Sequence, residues 1–361
     1  MVKSNYFQLE SFKESGKERW DDFCQKSGDA WLWHSYNSII SKSFWNNFKN
    51  ISFCVMDRSN RSKIIAIVPL FIIKRRKIID YSTLESLGGP AIIDDITNKK
   101  KKKLISYINF SLQEKLEKYK VNKIEFIYSS LSPKIIKQNR PIPNPLLPYI
   151  NKDLSSLSWM VKLKNKKESE IFDSFDSSAK QTINKASKKL KFNELKKEDS
   201  RKLFNIYYGI HLKTSERKNI KPHNKDYFKY IFEEFPEENR KIFYVTYKNE
   251  ILTFSIFGVY KKNIIYWTNT SSSEGLKIGS NYFCMWKSIE YFTRNNFENF
   301  ECGEGFLNTE NKNEIGLNIF KKSFGGTDFP LYKGERIKNK FIDIFHQSLF
   351  NLKRSLFKEN V

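Results

Sequence analysis

Near its carboxyl end the chain reads Gly316-Leu317-Asn318-Ile319-Phe320-Lys321-Lys322-Ser323-Phe324-Gly325-Gly326. A lysine follows a phenylalanine here, and two glycines come shortly afterwards. Glycine adopts positive φ without the steric penalty of a side chain, so the pattern predicts a sharp turn that leaves Lys321 facing a cavity. The alternative is a solvated corner between a strand and a loop, with a lysine on its surface.

The length and composition of the chain indicate two folded domains. Its 361 residues exceed the usual size of one hydrophobic core, and hydrophobic residues make up 39% of the sequence. The longest apolar run, residues 64–73, is too short for a membrane-spanning helix. The amino-terminal residues lack the apolar segment of a signal peptide, so we expect a cytoplasmic protein. It could also bind the inner face of the membrane.

The cysteines and histidines are scattered along the sequence. No two of them have the spacing of a zinc site or of a disulfide framework, so we expect no metal centre. The cysteines are expected to be small core residues in a reducing compartment. The cysteines are Cys24, Cys54, Cys284 and Cys302, and the histidines are His34, His211, His223 and His346.

The sequence is strongly basic, with a net charge of +24. Such a charge attracts RNA, DNA or an anionic membrane surface. Lysine outnumbers arginine 52 to 12, however, although arginine is the side chain suited to bidentate phosphate contacts. A composition rich in Lys, Ile and Asn is also what an AT-rich genome encodes. The charge therefore permits a polyanionic partner such as tRNA without requiring one.

The order of predicted elements is similar in the two halves of the chain. The first half has helical periodicity at residues 20–48, strands at 51–56, at 63–73 and near residue 77, a helix at 104–119 and a strand at 121–128. The second half has helices at residues 168–190, 201–213 and 225–235, strands at 242–247, 251–260 and 264–269, a loop at 270–279, a helix at 280–295 and a strand at 297–302. This repeated plan predicts two similar α/β domains.

The predicted boundaries follow from the segments between these elements. A proline-rich segment, residues 133–148, is typical of an exposed linker or a crossing loop. We therefore assign domain 1 to residues 1–150 and domain 2, with the site, to residues 151–336. The tail, residues 337–361, predicts an amphipathic basic helix that packs on its own protein or makes peripheral contact with an anionic membrane.

Short motifs in both halves point to one family. In the first half, residues 64–70 end in Pro-Leu, and residues 88–90 read Gly-Gly-Pro. In the second half, residues 180–186 read Lys-Gln-Thr-Ile-Asn-Lys-Ala, and residues 214–217 read Thr-Ser-Glu-Arg ahead of the pair Tyr227-Phe228. Together with the run that ends at Gly326, these motifs resemble the Fem family of peptidoglycan-bridge aminoacyltransferases and the wider Fem-like acyltransferases.

The resemblance implies a fold, an activity and a set of substrates. The expected fold class is α/β, with two GNAT-like (acyl-CoA N-acyltransferase fold) domains, each a mixed, largely antiparallel sheet flanked by helices. The expected activity is N-acyl transfer to an amino group of a cell-envelope precursor, either a peptidoglycan-type peptide or an amino sugar, carried on a lipid or a nucleotide. The donor would be aminoacyl-tRNA or acyl-CoA, with no tightly bound cofactor.

Two features favour aminoacyl-tRNA as the donor. The Phe320-Lys321 pair resembles that branch of the family, whereas the acyl-CoA loop of single-domain acetyltransferases is matched only at Gly279. The loop around Gly279 could still seat a pyrophosphate on free amides at a helix start. The alternative is that Ser280 is a plain N-cap. A different class remains open, a non-enzymatic basic protein that binds RNA or membrane phosphates.

The resemblance and the chemistry of acyl transfer together indicate the site residues. A cation beside the developing oxyanion is the main requirement, so the candidate catalytic residues are Lys321 and Arg217. Lys321 would hold the acyl carbonyl or an adjacent phosphate. Arg217 would bind an acidic group of donor or acceptor, or would instead form a surface ion pair with Glu216 or Asp226.

The remaining candidates would bind the substrate. Phe320 would shape the cavity or pack in the core, Tyr227 would donate a hydrogen bond or pack, and Glu304 or bulk water would take the amine proton. No Ser-His-Asp or Cys-His arrangement is visible, so we expect direct attack without a covalent enzyme intermediate. The substrate-binding set is Phe320, Tyr227, Lys322, Gly279, Ser280 and Glu304.

Overall fold

The computed structural model describes residues 6–45, 47–75, 81–138, 142–345 and residue 348. The chain divides into two compact units, unit 1 (Met1–Ser155 with Leu331–Val361) and unit 2 (Ser156–Pro330). Each unit is an α/β structure with a mixed, largely antiparallel sheet, as predicted. Residues 331–336, which the sequence groups with the second domain, lie in unit 1 because their strand pairs there.

The helices and strands alternate along the chain in both units. In the first part of the chain they are β1 (Phe7–Ser11), α1 (Phe12–Ser15), α2 (Lys17–Lys26), α3 (Tyr36–Ser43), β2 (Phe48–Asn50), β3 (Phe53–Asp57), β4 (Asn60–Val68), β5 (Phe71–Arg75), β6 (Tyr81–Leu87), β7 (Ala91–Ile92), α4 (Asn98–Lys118), β8 (Lys123–Tyr128), α5 (Pro133–Ile136) and β9 (Lys152–Asp153). In the rest they are β10 (Ser156–Lys162), α6 (Glu168–Asp173), α7 (Ser177–Ser187), β11 (Lys191–Glu194), α8 (Ser200–Arg217), α9 (Lys225–Glu233), β12 (Arg240–Tyr247), β13 (Glu250–Tyr260), β14 (Asn263–Ser271), α10 (Ser273–Ile278), α11 (Ser280–Arg294), β15 (Asn299–Glu304), α12 (Lys312–Lys322) and β16 (Thr327–Ile337).

Unit 1 contains two sheets. One is antiparallel, in the order β1-β3-β4-β7, and the other has the order β16-β8-β6-β5-β2, with β9 paired to β16. Within the second sheet β6 and β8 are parallel, and α4 is the crossover between them. Thr97 caps α4 by accepting a hydrogen bond from the Lys100 amide. The helix therefore includes the five lysines at residues 99–103, which precede the helix predicted at residues 104–119.

One predicted strand of unit 1, residues 63–73, is two strands in two different sheets. β4 ends at Val68 and β5 begins at Phe71, with Pro69 between them. Proline has no N–H to donate to a ladder, so the strand is interrupted there. The Ser86 hydroxyl donates to the Pro69 carbonyl oxygen at 2.5 Å, and the Leu70 amide donates to the Ser52 hydroxyl at 2.9 Å. These bonds satisfy the backbone where the chain changes sheets.

The proline-rich segment is not an exposed linker. Leu146 and Tyr149 are buried, and the Tyr332 hydroxyl donates to the Ile142 carbonyl oxygen at 2.7 Å. The Asn144 side chain also donates to the Lys333 carbonyl oxygen. The prediction was wrong because the apolar side chains between the prolines pack within unit 1. The chain leaves that unit only after Ser155.

The sheet of unit 2 has the order β11-β12-β13-β14-β15-β10. The strands β12, β13 and β14 form the predicted antiparallel meander, and α11 crosses over from β14 to the parallel strand β15. The predicted loop at residues 270–279 contains the short helix α10. The helix predicted at residues 168–190 is two helices, α6 and α7, and the helix α12 and strand β16 were not predicted at all.

The described residues bear on the predictions for membrane spans, metal sites, cysteines and the carboxyl-terminal tail. Among the described residues, no helix is long and apolar enough to cross a membrane, and no cluster of three His, Cys, Asp or Glu could hold a metal ion. All four cysteines are buried free thiols, as predicted. A helix covers residues 340–345, and most of the predicted basic tail helix lies outside the described residues.

The double glycine follows the end of α12 and turns the chain into β16. Gly325 and Gly326 have φ of +69° and +89°. A Cβ atom added to Gly326 would lie 2.5 Å from the Met160 carbonyl oxygen, and one added to Gly325 would lie 2.5 Å from the Ser174 hydroxyl. Both the backbone conformation and the close approach therefore require glycine, which accounts for the turn predicted from the sequence.

We predict that Gly326→Ala lowers the free energy of unfolding by about 1–3 kcal/mol, because alanine is strained at positive φ and has no room here. The matched control is Gly316→Ala, since Gly316 lies inside α12 with open space around it. Alanine favours a helix, so this variant should be neutral or more stable by up to about 1 kcal/mol. Urea unfolding measures both, and equal stability of the two variants would contradict the prediction.

Candidate functional site

The two parallel strands of unit 2 separate part-way along their length. They pair only from Asn263 opposite Asn299 to Ile265 opposite Glu301. Beyond this point β14 continues against β13 as far as Ser271, while β15 continues against β10 as far as Glu304. The carboxyl ends of parallel strands in an open α/β sheet are a common place for ligands. The separation therefore marks a candidate site within unit 2.

The predicted catalytic lysine lies at the carboxyl end of β15. Lys321 is half-buried in the last turn of α12, and its amine donates to the Glu304 carbonyl oxygen at 2.6 Å. The same Nζ atom lies 5.3 Å from the centre of the Phe306 ring. A Cβ atom on Gly303 would lie 3.4 Å from Nζ, in ordinary contact, so the amine lies directly against the Gly303 backbone. The strand end thus fixes the position of the amine.

The α12 helix is held against this strand end by a second contact. The Asn318 side chain accepts from the Phe306 amide at 2.9 Å and donates to the Phe306 carbonyl oxygen at 2.8 Å. Asn318 precedes Lys321 by three residues, so both side chains lie on the same face of the helix. Because the amide side chain satisfies both backbone groups of Phe306, it orients the helix that carries the lysine.

The neighbours of Lys321 in the sequence face elsewhere. Phe320 is buried against Tyr282 and Phe324, with ring centres 4.9 and 5.0 Å away, so it packs in the core of unit 2. Lys322 is exposed, and its amine lies 5.2 Å from the centre of the Trp159 ring. Of the three consecutive residues, Lys321 is therefore the one whose side chain is hydrogen-bonded to the end of β15.

A buried carboxyl that the sequence analysis missed lies beside this lysine. Glu301 is 3% exposed, and its Oε1 atom accepts from the Ser158 hydroxyl at 2.7 Å. Its Oε2 atom is buried without a hydrogen-bond partner in the part of the chain the structure describes. Burial raises the pKa of Glu301 to about 7, against the Ser158 hydrogen bond and the Lys321 charge, which lower it. A signal existed, since a glutamate between Phe300 and Cys302 interrupts an apolar strand.

The backbone carbonyl of Glu304 accepts a hydrogen bond from Lys321, whereas its side chain is bonded to a neighbouring strand. The Ser156 hydroxyl donates to Glu304 Oε1 at 2.8 Å, which ties the carboxylate to β10. Burial lowers the pKa of Lys321, while the neighbouring groups Cys302, Glu304 and Glu301 oppose this shift. The end of β15 is therefore a compact group of one amine and two carboxyls.

Arg217 is the last residue of α8, and its side chain contacts the end of β14. Its guanidinium donates to the Ser271 carbonyl oxygen at 3.1 Å and to the Ser273 hydroxyl at 3.3 Å. These partners replace the ion pair with Glu216 or Asp226 that the sequence left open. The two bonds use two of the five arginine donors, so the exposed side chain keeps capacity for an anion.

Tyr227 is not an open hydrogen-bond donor. It is 4% exposed, with the Phe228 ring centre 5.2 Å away and the Trp267 ring centre 6.5 Å away. Burial raises the pKa of its hydroxyl. The structure therefore places it in an aromatic cluster formed by α8, α9 and β14, which corresponds to the packing alternative.

The helix start that could seat an anion is formed by Gly279. This residue is left-handed at φ +81°, ends α10 and caps α11 with its backbone. Ser280 is not the N-cap, contrary to the alternative left open by the sequence. Its side chain is fully buried and hydrogen-bonded to the Thr253 hydroxyl, because it packs against β13. Any anion at this helix start would therefore meet backbone amides and not the serine hydroxyl.

The comparisons with known proteins agree with this geometry. Residues 151–250 match the model of the FemAB family. This region is FemAB-like. The match confirms the predicted resemblance to Fem-like proteins and indicates a transferase of acyl or aminoacyl groups. No curated protein sequence matches the chain significantly.

Solved structures support the fold that the FemAB-like region suggests. A crystal structure of FemX is similar with a TM-score of 0.63 at 13% identity, covering 92% of this chain and 98% of that one. L-PGS from Bacillus licheniformis gives 0.58 at 13% identity, covering 94% and 96%. A tandem GNAT protein from the clavulanic acid biosynthesis pathway gives 0.51 at 8% identity, covering 92% and 99%. The predicted fold of two GNAT-like domains is confirmed.

Two histidines that the sequence treated as dispersed meet beside the aromatic cluster. The His223 amide donates to His211 Nε2 at 3.1 Å, and the two rings are 5.5 Å apart. Burial, followed by the charges of His223 and Lys218, lowers the pKa of His211 to about 4. His211 is therefore neutral at pH 7 and serves as a hydrogen-bond acceptor that joins α8 to the segment before α9.

This pair predicts a pH-dependent stability. The folded-state pKa of His211 is below its ordinary value of 6.5, so its contribution to stability is complete above pH 6.5 and is lost as the pH falls towards about 4. In His211→Gln the glutamine oxygen can accept the same amide without titrating. The stability difference between the two proteins should therefore change by about 1–2 kcal/mol across that window, measured by urea unfolding. A constant difference would contradict the neutral-histidine assignment.

Proposed function

We propose that the chain is an N-acyltransferase that transfers an aminoacyl group from aminoacyl-tRNA to an amino group of a cell-envelope precursor. The observation that carries the proposal is the position of Lys321. Its half-buried amine is anchored on the Glu304 carbonyl oxygen at the point where β14 and β15 have separated. A cation fixed in this way is suited to an oxygen that becomes negative only during the reaction.

The reaction itself makes few demands on side chains. The neutral acceptor amine attacks the ester carbonyl of the donor, a C–N bond forms, and the C–O bond to the ribose breaks. The carbonyl oxygen is negative in the tetrahedral intermediate, and the amine proton ends on the leaving hydroxyl. Lys321 would stabilise that oxygen, and the protein would align the two substrates. Glu304 or bulk water would accept the proton first.

Other residues of unit 2 support substrate binding in this proposal. Arg217 lies at the end of β14, where its free donors would bind a phosphate or carboxylate. The backbone amides at the start of α11, next to Gly279, would hold a second anionic group. Phe320 and Tyr227 would act only by supporting the surrounding packing, since both are buried. Lys322 is exposed on the Trp159 ring and would contribute positive charge near the substrate.

Different observations favour the proposed acyl donor and the proposed amine acceptor. The FemAB match and the net charge of +24 favour aminoacyl-tRNA. The tandem GNAT relative favours acyl-CoA as the alternative donor. The similarity to FemX favours a peptidoglycan-type or nucleotide-linked acceptor. A basic adaptor that binds RNA or membrane phosphates without turnover is the competing class.

The experiment that separates these alternatives offers both donors to the full chain. Aminoacyl-tRNA carrying a labelled amino acid and labelled acetyl-CoA are each incubated with envelope precursors that bear a free amine, and amide products are identified by mass spectrometry. We expect product from aminoacyl-tRNA. Product only from acetyl-CoA would select the alternative donor. Salt-sensitive RNA binding with no product from either donor would instead support the adaptor.

We predict that Lys321→Met lowers kcat by about 10²–10³-fold, because the variant keeps the apolar stem of the side chain and loses the charge at the oxyanion. The matched control is Lys312→Met, since Lys312 is exposed in the first turn of the same helix. Thermal unfolding verifies that both variants fold. Wild-type turnover in Lys321→Met would remove the proposed role of the lysine.

A further inference from the structure

The buried carboxyl of Glu301 is an unusual group for the middle of a sheet. Its Oε1 atom is satisfied by Ser158, but its Oε2 atom is buried without a hydrogen-bond partner among the described residues. Leaving a buried carboxyl oxygen unpaired costs folding free energy. Such a cost is expected at functional sites, where a polar group is kept for a purpose other than stability.

The position of Glu301 connects it to the end of β15. It lies opposite Ile265 at the last paired position of the two parallel strands, just before β14 and β15 separate. Lys321 is close enough for its charge to act on Glu301, and the reverse holds. Glu301 therefore lies where β14 and β15 begin to separate, and the Lys321 ammonium lies at the carboxyl end of β15.

The charges around Lys321 differ in how far solvent weakens them. The groups that face it are Cys302, Glu304 and Glu301, all on β15. Burial raises the pKa of the Cys302 thiol to about 12, so this thiol carries no charge at neutral pH. Glu304 is half-buried and partly screened by water, whereas Glu301 is fully buried and acts through a medium of lower dielectric constant.

We infer that Glu301 is a positioning residue for the proposed acyl transfer, whose carboxylate keeps the Lys321 amine protonated while the oxyanion forms. The inference rests on the proposed function of Lys321. Burial by itself favours the neutral amine, which could not stabilise an oxyanion. A nearby buried carboxylate opposes this preference because it favours the charged form of the amine. Ser158 supports the arrangement because its hydroxyl stabilises the ionised form of Glu301.

The first test measures proton binding and does not need turnover. Infrared spectra of the full chain over about pH 5–9 should contain a protonated carboxyl band that disappears near pH 7 and is absent in Glu301→Gln. In Lys321→Met the band should persist to higher pH, by about one unit, because the positive charge is gone. An unchanged titration in Lys321→Met would overturn the coupling between the two residues.

The second test uses the alkaline limb of the pH profile of kcat/KM, where Lys321 loses its proton. In Glu301→Gln this limb should move to lower pH by about one unit, so that activity above the limb falls about tenfold, with KM nearly unchanged. Ser158→Ala should move it in the same direction by less. A uniform loss of activity at every pH, or an unmoved limb, would overturn the inference.

The matched control is Glu335→Gln in unit 1. Glu335 is 7% exposed on a strand, as Glu301 is, but its carboxylate pairs with Lys123 at 2.8 Å. Its loss should lower stability and leave the pH profile where it is. Failure of the proposed function is distinguishable, since it would remove turnover in the wild type while the infrared coupling of Glu301 to Lys321 remained. Loss of that coupling with turnover intact would reject the inference alone.

Discussion

The hydrogen bond from the Lys321 amine to the Glu304 carbonyl oxygen joins the last turn of α12 to the end of β15, and the candidate site is arranged around it. Asn318 supports the bond because it holds the helix on the Phe306 backbone. A lysine on a free surface would spread over many rotamers. Here its charge has one position, which is the condition for electrostatic preorganisation.

The same region combines features that oppose stability. A half-buried amine and a buried carboxyl with an unpaired oxygen both cost free energy, and they lie within one end of unit 2. The dense aromatic and aliphatic core around Phe257, Phe292 and Phe300 offsets these costs through burial. The polar groups can therefore be kept at the edge of a core that excludes charge.

The two units share one structural plan but not one set of charged residues. Each has a parallel strand pair joined by a long crossover helix, β6 and β8 through α4 and β14 and β15 through α11. In unit 1 two buried carboxyls lie beside this pair, Asp29, which is bonded to Tyr128, Lys134 and the Ile92 amide, and Glu335, which pairs with Lys123. In unit 2 the buried carboxyl beside the pair is Glu301, and the charge that acts on it is that of Lys321.

Local pattern in the sequence was sufficient for much of this structure. Helical spacing predicted α4, alternation with short turns predicted the meander of β12 to β14, and the double glycine predicted the turn after Lys321, since each depends on neighbouring residues. Contacts between distant residues could not be obtained in this way. Ser158 and Glu301 are 143 positions apart, and β16 returns to pair with β8 in unit 1. Whether a glutamate is buried, or a histidine finds a partner, is decided only when distant strands pack together.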